Sequence, residues 1–414
     1  MKVAFFLTAF PNLSETFILS QICGLMDLGV DIDIYASVNL KQSKVHPQVE
    51  KYRLIDRTYY SDTVDPILKR VTRGLKTFPK NFFKNPLAYA EAIQSLSLRD
   101  VFYVDAFLNE KAKKSYDIIH ANYGSNGLIG VILKERGIIK GKLITSFYGY
   151  DMSSFIREKG ENVYKKLFKH GDLFLPIVEF WKEKLIDMGC SKDKIILHRI
   201  GINLDEFKFK ERKLDSIRVK SITVARLAEK KGYEYSIKAV TNLIRANKGL
   251  EIEYQIIGDG PLKKSLENLI LKEGMKDNIK LLGSMNQSEI KDYLANAHIF
   301  ILSSVTALDG DTEGTPTVIM EAQACGLPVV STRHSGIPEV VLDGKSGFLV
   351  PERDVDALTK KLQYLIEHPE LWPEMGRAGR RFVEERYDIQ KLNQRLVKIY
   401  EAILADDGNM LENI

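Results

Sequence analysis

Short apolar, β-branched runs alternate along this chain with longer stretches whose apolar positions recur every three or four residues. In the first half Val3–Leu7, Asp31–Tyr35, Ile118–His120, Lys142–Phe147 and Leu173–Val178 read as strands. Helices are predicted over Ser14–Gly29, where Ser14 caps a run carrying Phe17, Ile18, Ile22 and Leu25, and over Glu179–Met188. A second series follows His198–Phe207: strands at Ser221–Val224, Ile252–Ile257, Ile279–Leu282, His298–Leu302 and Pro328–Ser331. Its helices are predicted at Tyr233–Ala246, Gln287–Asn296, Pro316–Cys325 and Val355–Glu367, and Ile389–Ala405 is a long amphipathic helix with no strand after it. This alternation is the pattern of α/β domains built on parallel sheets.

With 414 residues the chain is too long for one ordinary core and suits two domains of about 200 residues each. The hinge is expected near residues 194–211. That gives a first domain of residues 1–197, a second of 198–388, and a tail of about 389–414 packing back on the first. Ligands of doubly wound folds bind outside the carboxyl ends of the strands. A dinucleotide-dependent dehydrogenase would carry G-x-G-x-x-G after its first strand, whereas Val3–Leu7 here runs into Thr8-Ala9-Phe10-Pro11-Asn12-Leu13-Ser14.

Composition is that of a globular protein, 44% hydrophobic and 28% charged. No apolar run reaches the roughly 18 residues of a membrane span, and the opening MKVAFFLTAF reads as a buried strand rather than a signal peptide. Cys23, Cys190 and Cys325 are odd in number and far apart, which fits a reducing cytoplasm and neither a metal site nor a disulfide framework. The net charge of +5 is uneven: residues 1–200 hold 30 Lys/Arg against 22 Asp/Glu, the remainder 30 against 33. An anionic partner therefore belongs with the first half. Nucleic-acid binding has no motif behind it.

The stretch from Asp309 to Glu339, DGDTEGTPTVIMEAQACGLPVVSTRHSGIPE, carries the chemistry. Pro316 suits the first position of a helix and Thr315 its cap, leaving the amides of Thr317 and Val318 free at the N-terminus beside Gly314. That is an anion site, with a diphosphate as its natural occupant. Glu313 and Glu321 would repel a bare phosphate, but make sense as acceptors of hydroxyl hydrogen bonds from a sugar and a ribose. A capped helix with two solvated glutamates is the plainer alternative. Arg226, Lys230 and Lys231 follow the strand Ser221–Val224 and can neutralise a leaving diphosphate. Gly258-Asp259-Gly260-Pro261 is a tight turn after Ile252–Ile257.

These segments resemble the signatures of the retaining glycosyltransferases called family 4. Glu313 and Glu321 match its E-x7-E motif. Arg226 and Lys231 match G-R-L-x-x-x-K-G, with Ala225 in place of the first glycine. Gly258–Pro261 resembles the G-x-G-P turn, and Ser335-Gly336-Ile337-Pro338-Glu339 the G-G-I-P-E loop. Gly344–Val350 is similar to the segment that follows it. The first half is similar, through residues 10–17, 118–121 and 197–202, to a branch that builds bacterial exopolysaccharides and lipopolysaccharides.

The resemblance implies the GT-B fold, two Rossmann-like doubly wound domains facing a central cleft. It also implies a nucleotide-sugar donor, with UDP the commonest, and a saccharide or lipid-linked acceptor. Arg226, Lys231 and Glu313 take catalytic roles in this reading. Gly258, Asp259, Gly260, Gly283, Gly314, Thr315, Pro316, Thr317, Val318 and Glu321 form the donor site. Ser14, Glu15, His120, Tyr148 and Asp151 fall on the acceptor side. One position departs from the family. Its T-x-H-G-x-D histidine is replaced here by Tyr148, in Ser146-Phe147-Tyr148-Gly149-Tyr150-Asp151, and a tyrosine is a poor base at neutral pH.

Several alternatives stay open at this level. His120 is either a satisfied core histidine or an acceptor contact, and Ser14 and Glu15 either cap a helix or touch substrate. Asp309-Gly310-Asp311 imitates a D-x-D metal motif, but the expectation is a loop-shaping role, with no metal and no cofactor. Lys69–Lys84 interleaves six basic residues with Phe78, Phe82 and Phe83, which suits either a solvated segment or peripheral contact with the inner face of the cytoplasmic membrane. A nucleotide-sugar 2-epimerase and a non-catalytic nucleotide-sugar-binding subunit are the competing functions.

Overall fold

The computed structural model describes residues 1–12, 15–40, 45–60, 86–87, 115–214, 218–249 and 251–408. Ser14 and the basic segment Lys69–Lys84 lie outside the described residues. The chain divides into two compact units. One comprises Met1–Ile177, Trp181–His198 and Gln390–Ile414, the other Val178–Phe180 and Arg199–Ile389.

The first unit runs β1 (Lys2–Ala9), α1 (Thr16–Asp27), β2 (Asp31–Val38), α2 (Pro47–Lys51), β3 (Thr58–Tyr60), β4 (Ser115–Asn122), α3 (Gly124–Glu135), β5 (Lys140–Phe147), α4 (Ser154–Lys159), α5 (Lys165–His170) and β6 (Leu173–Pro176). After β6 comes α6 (Glu179–Asp187), which crosses from one unit to the other. The sheet order is β3-β2-β1-β4-β5-β6 and every pair is parallel. A parallel sheet covered on both faces needs apolar residues on both faces of its strands. That explains KVAFFLTA in β1, where Val3, Phe5 and Leu7 join one core while Ala4 and Phe6 are buried on the other side.

The second unit repeats the plan with β7 (Arg218–Val224), α7 (Tyr233–Ala246), β8 (Glu251–Ile257), α8 (Lys263–Lys272), β9 (Ile279–Gly283), α9 (Gln287–Asn296), β10 (Ile299–Leu302), α10 (Thr317–Ala324), β11 (Val329–Thr332), β12 (Gly347–Val350), α11 (Val355–Glu367) and α12 (Trp372–Arg386). Its sheet, β12-β11-β10-β7-β8-β9, is again parallel throughout. Ile299 and Ile301 face a core with α7, α8 and α11, and Phe300 and Leu302 face the opposite core with α10 and α12, as the period of two requires. In both sheets the order reverses between the first and fourth strands, the switch point where such folds bind ligands.

The last helix, α13 (Ile389–Leu404), belongs to the first unit, where Leu396, Ile399, Tyr400 and Ile403 join the core of β1, α1 and β2. The apolar pattern does not foresee β3, β12, α2, α3, α4, α5, α8 and α12. β3 has only three residues and β12 opens on a glycine. α3 is buried nearly all round, so it shows no amphipathic stripe. One predicted detail shifts by a residue. Pro316, with extended ψ of 104°, is the cap position and Thr317 is the first helical residue, so Thr315 does not cap α10.

Ile399 is fully buried in the first unit's core. Ile399→Ala is expected to lower that unit's stability by about 2–5 kcal/mol, read by denaturant unfolding. A loss below about 1 kcal/mol, no more than an Ile→Val trim costs, would mean that α13 is not part of this core.

Candidate active site

The switch point of the second sheet is built by two loops stitched together. After β7 the chain makes a turn at Glu229–Lys231 and enters α7 through Gly232. After β10 it runs from Ser303 to Gly314 before α10. Val305 N–H donates to Lys230 O (2.9 Å), Ser303 Oγ to Gly232 O (2.7 Å) and Leu308 N–H to Glu229 Oε1 (3.0 Å). Gly232 has φ of +63°, and a Cβ there would stand 1.8 Å from Ser303 O, so no side chain fits. At the neighbouring edge Gly258, φ +147°, brings the β8 turn against Ala225, and a Cβ would stand 2.0 Å from Ala225 O. The Asp259 carbonyl then accepts from Leu227 N–H at 2.9 Å. Gly258 N–H in turn donates to Gly283 O, which ties the end of β9 to this edge.

Glu313 lies at the centre of the site, only 6% exposed. Lys231 Nζ is 2.9 Å and Lys230 Nζ 4.0 Å from its Oε1. Burial pushes this carboxyl up, but the two lysine charges outweigh it and hold the group below its ordinary range, ionised at neutral pH. Lys230 also pairs with Asp311 Oδ2 at 3.0 Å, and Asp309 Oδ1 accepts from Asp311 N–H at 2.9 Å. Asp309 Oδ1 and Asp311 Oδ2 thus help to shape the loop, while Asp311 Oδ1 is buried with no hydrogen-bond partner in the protein. No cluster of three metal-ligating side chains occurs among the described residues.

Around Glu313 the side-chain oxygens of Thr312 and Thr315 are buried with no hydrogen-bond partner in the protein. Buried hydroxyls in that state are what a polar ligand satisfies. Gly314 and Pro316 lead into α10, whose first amides, Thr317 and Val318, have no intrahelical acceptor. Arg226 is exposed at the end of β7.

Glu321, half-buried on α10, is different. Burial and the nearby charge of Glu206 push its carboxyl up to about 7, with Lys291 opposing. Lys291 itself pairs with Glu206 at 2.6 Å. Sequence reasoning missed Glu206 and Lys291, which lie 115 and 30 residues before Glu321 with no motif to mark them.

The described residues that the sequence assigns to the acceptor side, Glu15, His120, Tyr148 and Asp151, belong to the first unit and lie in less open settings. His120 is fully buried, its ring nitrogens engaged by Tyr400 Oη and by Ser146 Oγ (2.7 Å), and burial drives its pKa down to about 3. It is a satisfied core histidine, which corrects its assignment to the acceptor side. Tyr148 Oη donates to Asn122 Oδ1 at 2.7 Å, and its buried phenol is pushed far above the ordinary range. Asp151 is fully buried and accepts from the amides of Gly124 (2.8 Å) and Tyr148 (2.8 Å). Burial raises its carboxyl to about 7 against those hydrogen bonds, and its geometry is that of a loop anchor. Glu15 stays partly exposed and accepts from Tyr123 Oη at 3.0 Å, while Tyr123 itself holds a φ of +74° unusual for a non-glycine residue.

Residues 205–382 match the family model described as glycosyl transferases group 1. The putative colanic acid biosynthesis glycosyltransferase WcaL of Escherichia coli is 36% identical over 417 residues, covering 97% of this chain and 100% of that one. The amylovoran biosynthesis glycosyltransferase AmsK of Erwinia amylovora is 35% identical over 408 residues, again covering 97% and 100%. Among solved structures, Anabaena Alr3699/HepE in complex with UDP and glucose superposes with a TM-score of 0.69 at 17% identity, covering 97% of this chain and 100% of that one. With its two parallel sheets and near-full-length relatives, the chain belongs to the group 1 glycosyltransferases and has the GT-B fold.

Proposed function

We propose that this protein transfers a sugar, with retention of anomeric configuration and without a metal, from a nucleoside diphosphate donor to a saccharide or lipid-linked acceptor in exopolysaccharide synthesis. The observation that carries the reading is the ionised, buried Glu313 beside Lys231, next to a helix N-terminus and two unpartnered threonine hydroxyls. A carboxylate suits sugar hydroxyls, and cations with free amides suit a diphosphate. The two polysaccharide-building relatives support the process. UDP is proposed as the commonest donor nucleotide that the family resemblance implies, since the UDP-bound neighbour supports the fold alone.

In the proposed step the acceptor oxygen bonds to the anomeric carbon as the bond from that carbon to the diphosphate oxygen breaks. The acceptor's proton passes to a diphosphate oxygen. Arg226, Lys231 and the amides of Thr317 and Val318 stabilise the charge on the leaving diphosphate, and Glu313 and Glu321 orient the sugar and ribose. The Glu313 carboxylate is already engaged by Lys231, so it serves as an acceptor for hydroxyls rather than as a free base.

The test begins with thermal shifts against UDP, GDP, ADP, dTDP and CMP and their sugar conjugates, followed by turnover with the selected donor. Arg226→Ala should lower turnover by about 10²–10³-fold with the melting temperature unchanged. Lys231→Ala should lower both, because it strands a buried carboxylate. Rates should be undiminished in excess EDTA. Wild-type turnover in both variants would refute the assignment, and loss of activity in EDTA would refute metal independence.

A pH effect follows from Glu321. The folded carboxyl keeps its proton up to about pH 7, above the unfolded value, so the folded state binds more protons between the two. This group's contribution to stability therefore falls as pH rises through that window. Glu321→Gln, neutral throughout, should gain melting temperature relative to wild type from about pH 5 to about pH 8. A gap that stays constant across that range would show Glu321 to be an ordinary carboxylate.

A further inference from the structure

We propose that His334 and Glu352 are positioning residues for the transfer reaction: together with Ser335 they fix the backbone of Glu313 and hence the place of its carboxylate. This rests on the reading of Glu313 as a donor-sugar contact.

Glu313 lies in a loop, where neither helix nor sheet supplies partners for its peptide groups. Two consecutive side chains supply them instead. Glu313 N–H donates to His334 Nε2 at 3.1 Å, and Ser335 Oγ donates to Glu313 O at 2.5 Å. The groups on both sides of the Glu313 Cα are thereby held from the same short segment. Ser335 adopts a φ of +45° to do so, the kind of local strain that persists where surroundings impose it.

The chain of contacts continues behind His334. Its Nδ1 lies 2.5 Å from Glu352 Oε1, and Glu352 Oε2 accepts from Thr306 N–H at 2.9 Å. Arg353 bonds both Glu352 Oε2 (3.1 Å) and Thr306 O (2.5 Å). Because Nε2 accepts from an amide, the neutral ring carries its proton on Nδ1, and the carboxylate holds that tautomer. The logic is that of an acid that orients a histidine, with the histidine here orienting a backbone. His334 is only 1% exposed, so it acts through Glu313 and not on a ligand.

Glu352→Gln separates this role from simple packing. The single amide oxygen can stay with Thr306 N–H only by turning its NH2 toward Nδ1. The ring must then protonate Nε2, which faces Glu313 N–H donor to donor. His334→Gln can accept from Glu313 and donate to Glu352, so it is the conservative rescue.

The probes are UDP, UDP-glucose, UDP-galactose, GDP and GDP-mannose, measured by calorimetry and by acceptor-independent release of the nucleoside diphosphate. In Glu352→Gln the free nucleoside diphosphate should bind as in wild type. The extra affinity given by the sugar should be lost, and release should slow by about 10²-fold, the scale of a misplacement of about 1 Å. His334→Gln should keep most of both. Nitrogen NMR of wild type should show His334 neutral with its proton on Nδ1, a readout that needs no variant to fold.

An Nε2-protonated ring in wild type overturns the proposal. So does a folded Glu352→Gln with wild-type sugar affinity and release while Glu313→Gln is impaired. If Glu313→Gln is itself unimpaired, or wild type binds none of the probes, the donor-site reading fails and this inference fails with it.

Discussion

A carboxylate as enclosed as that of Glu313 is costly unless a cation and fixed hydrogen bonds compensate, and this requirement organises the second unit's switch point. Lys231 must come within contact distance, so the turn after β7 must bring it there. Gly232 permits that turn because the chain can reverse in the left-handed region against Ser303 O without a side chain in between. The loop after β10 must meet the same turn, and three hydrogen bonds to Glu229, Lys230 and Gly232 hold it there. The ion pair is thus a consequence of adjacent parallel strands whose carboxyl ends lie side by side.

The scaffold behind the loop is equally constrained. α10 must hold its first turn still for its free amides to serve as an anion site. Arg212, buried and 113 residues before Cys325, fixes the opposite end of the same helix. Its guanidinium donates to Ala295 O and Leu294 O at the end of α9 and to Cys325 O at the end of α10. A cation there satisfies the orphan carbonyls of two helices and favours their dipoles. Burial lowers its pKa to about 10, which leaves it charged at neutral pH.

The sequence marked the second unit's candidate site because the residues that build it are local. Pro316 and the amides after it, the Gly258 turn, and the basic pair at Lys230 and Lys231 each sit within a few residues of a strand end that periodicity alone locates. Glu352 shows where that legibility stops. It follows β12, a strand too short and too glycine-led to be read, and its partner His334, although it adjoins the Ser335–Glu339 motif, carries no local sign of that contact. Tertiary contacts between strand ends 18 residues apart leave no trace in hydrophobic periodicity. His120 is the opposite case, left open by the sequence between core and acceptor side. A histidine at the end of a buried strand looks available, and only the return of α13, bringing Tyr400 from 280 residues away, reveals that it is satisfied.

Tyr148 shows how a departure from a family pattern is absorbed. Its ring packs beside Phe17 and Tyr123, with centroids 5.2 and 4.8 Å away, and its hydroxyl is spent on Asn122. Asp151, three residues later in the motif, accepts from the Tyr148 amide and from the first amide of α3. Burial holds the phenol protonated, so it offers no proton acceptor at neutral pH. The partly exposed carboxylate at this edge is Glu15, oriented by a tyrosine held in an unusual backbone conformation. Among the described residues named for this edge, Glu15 is the partly exposed proton acceptor, and the proposed path, in which a donor phosphate oxygen takes the proton, does not need His120.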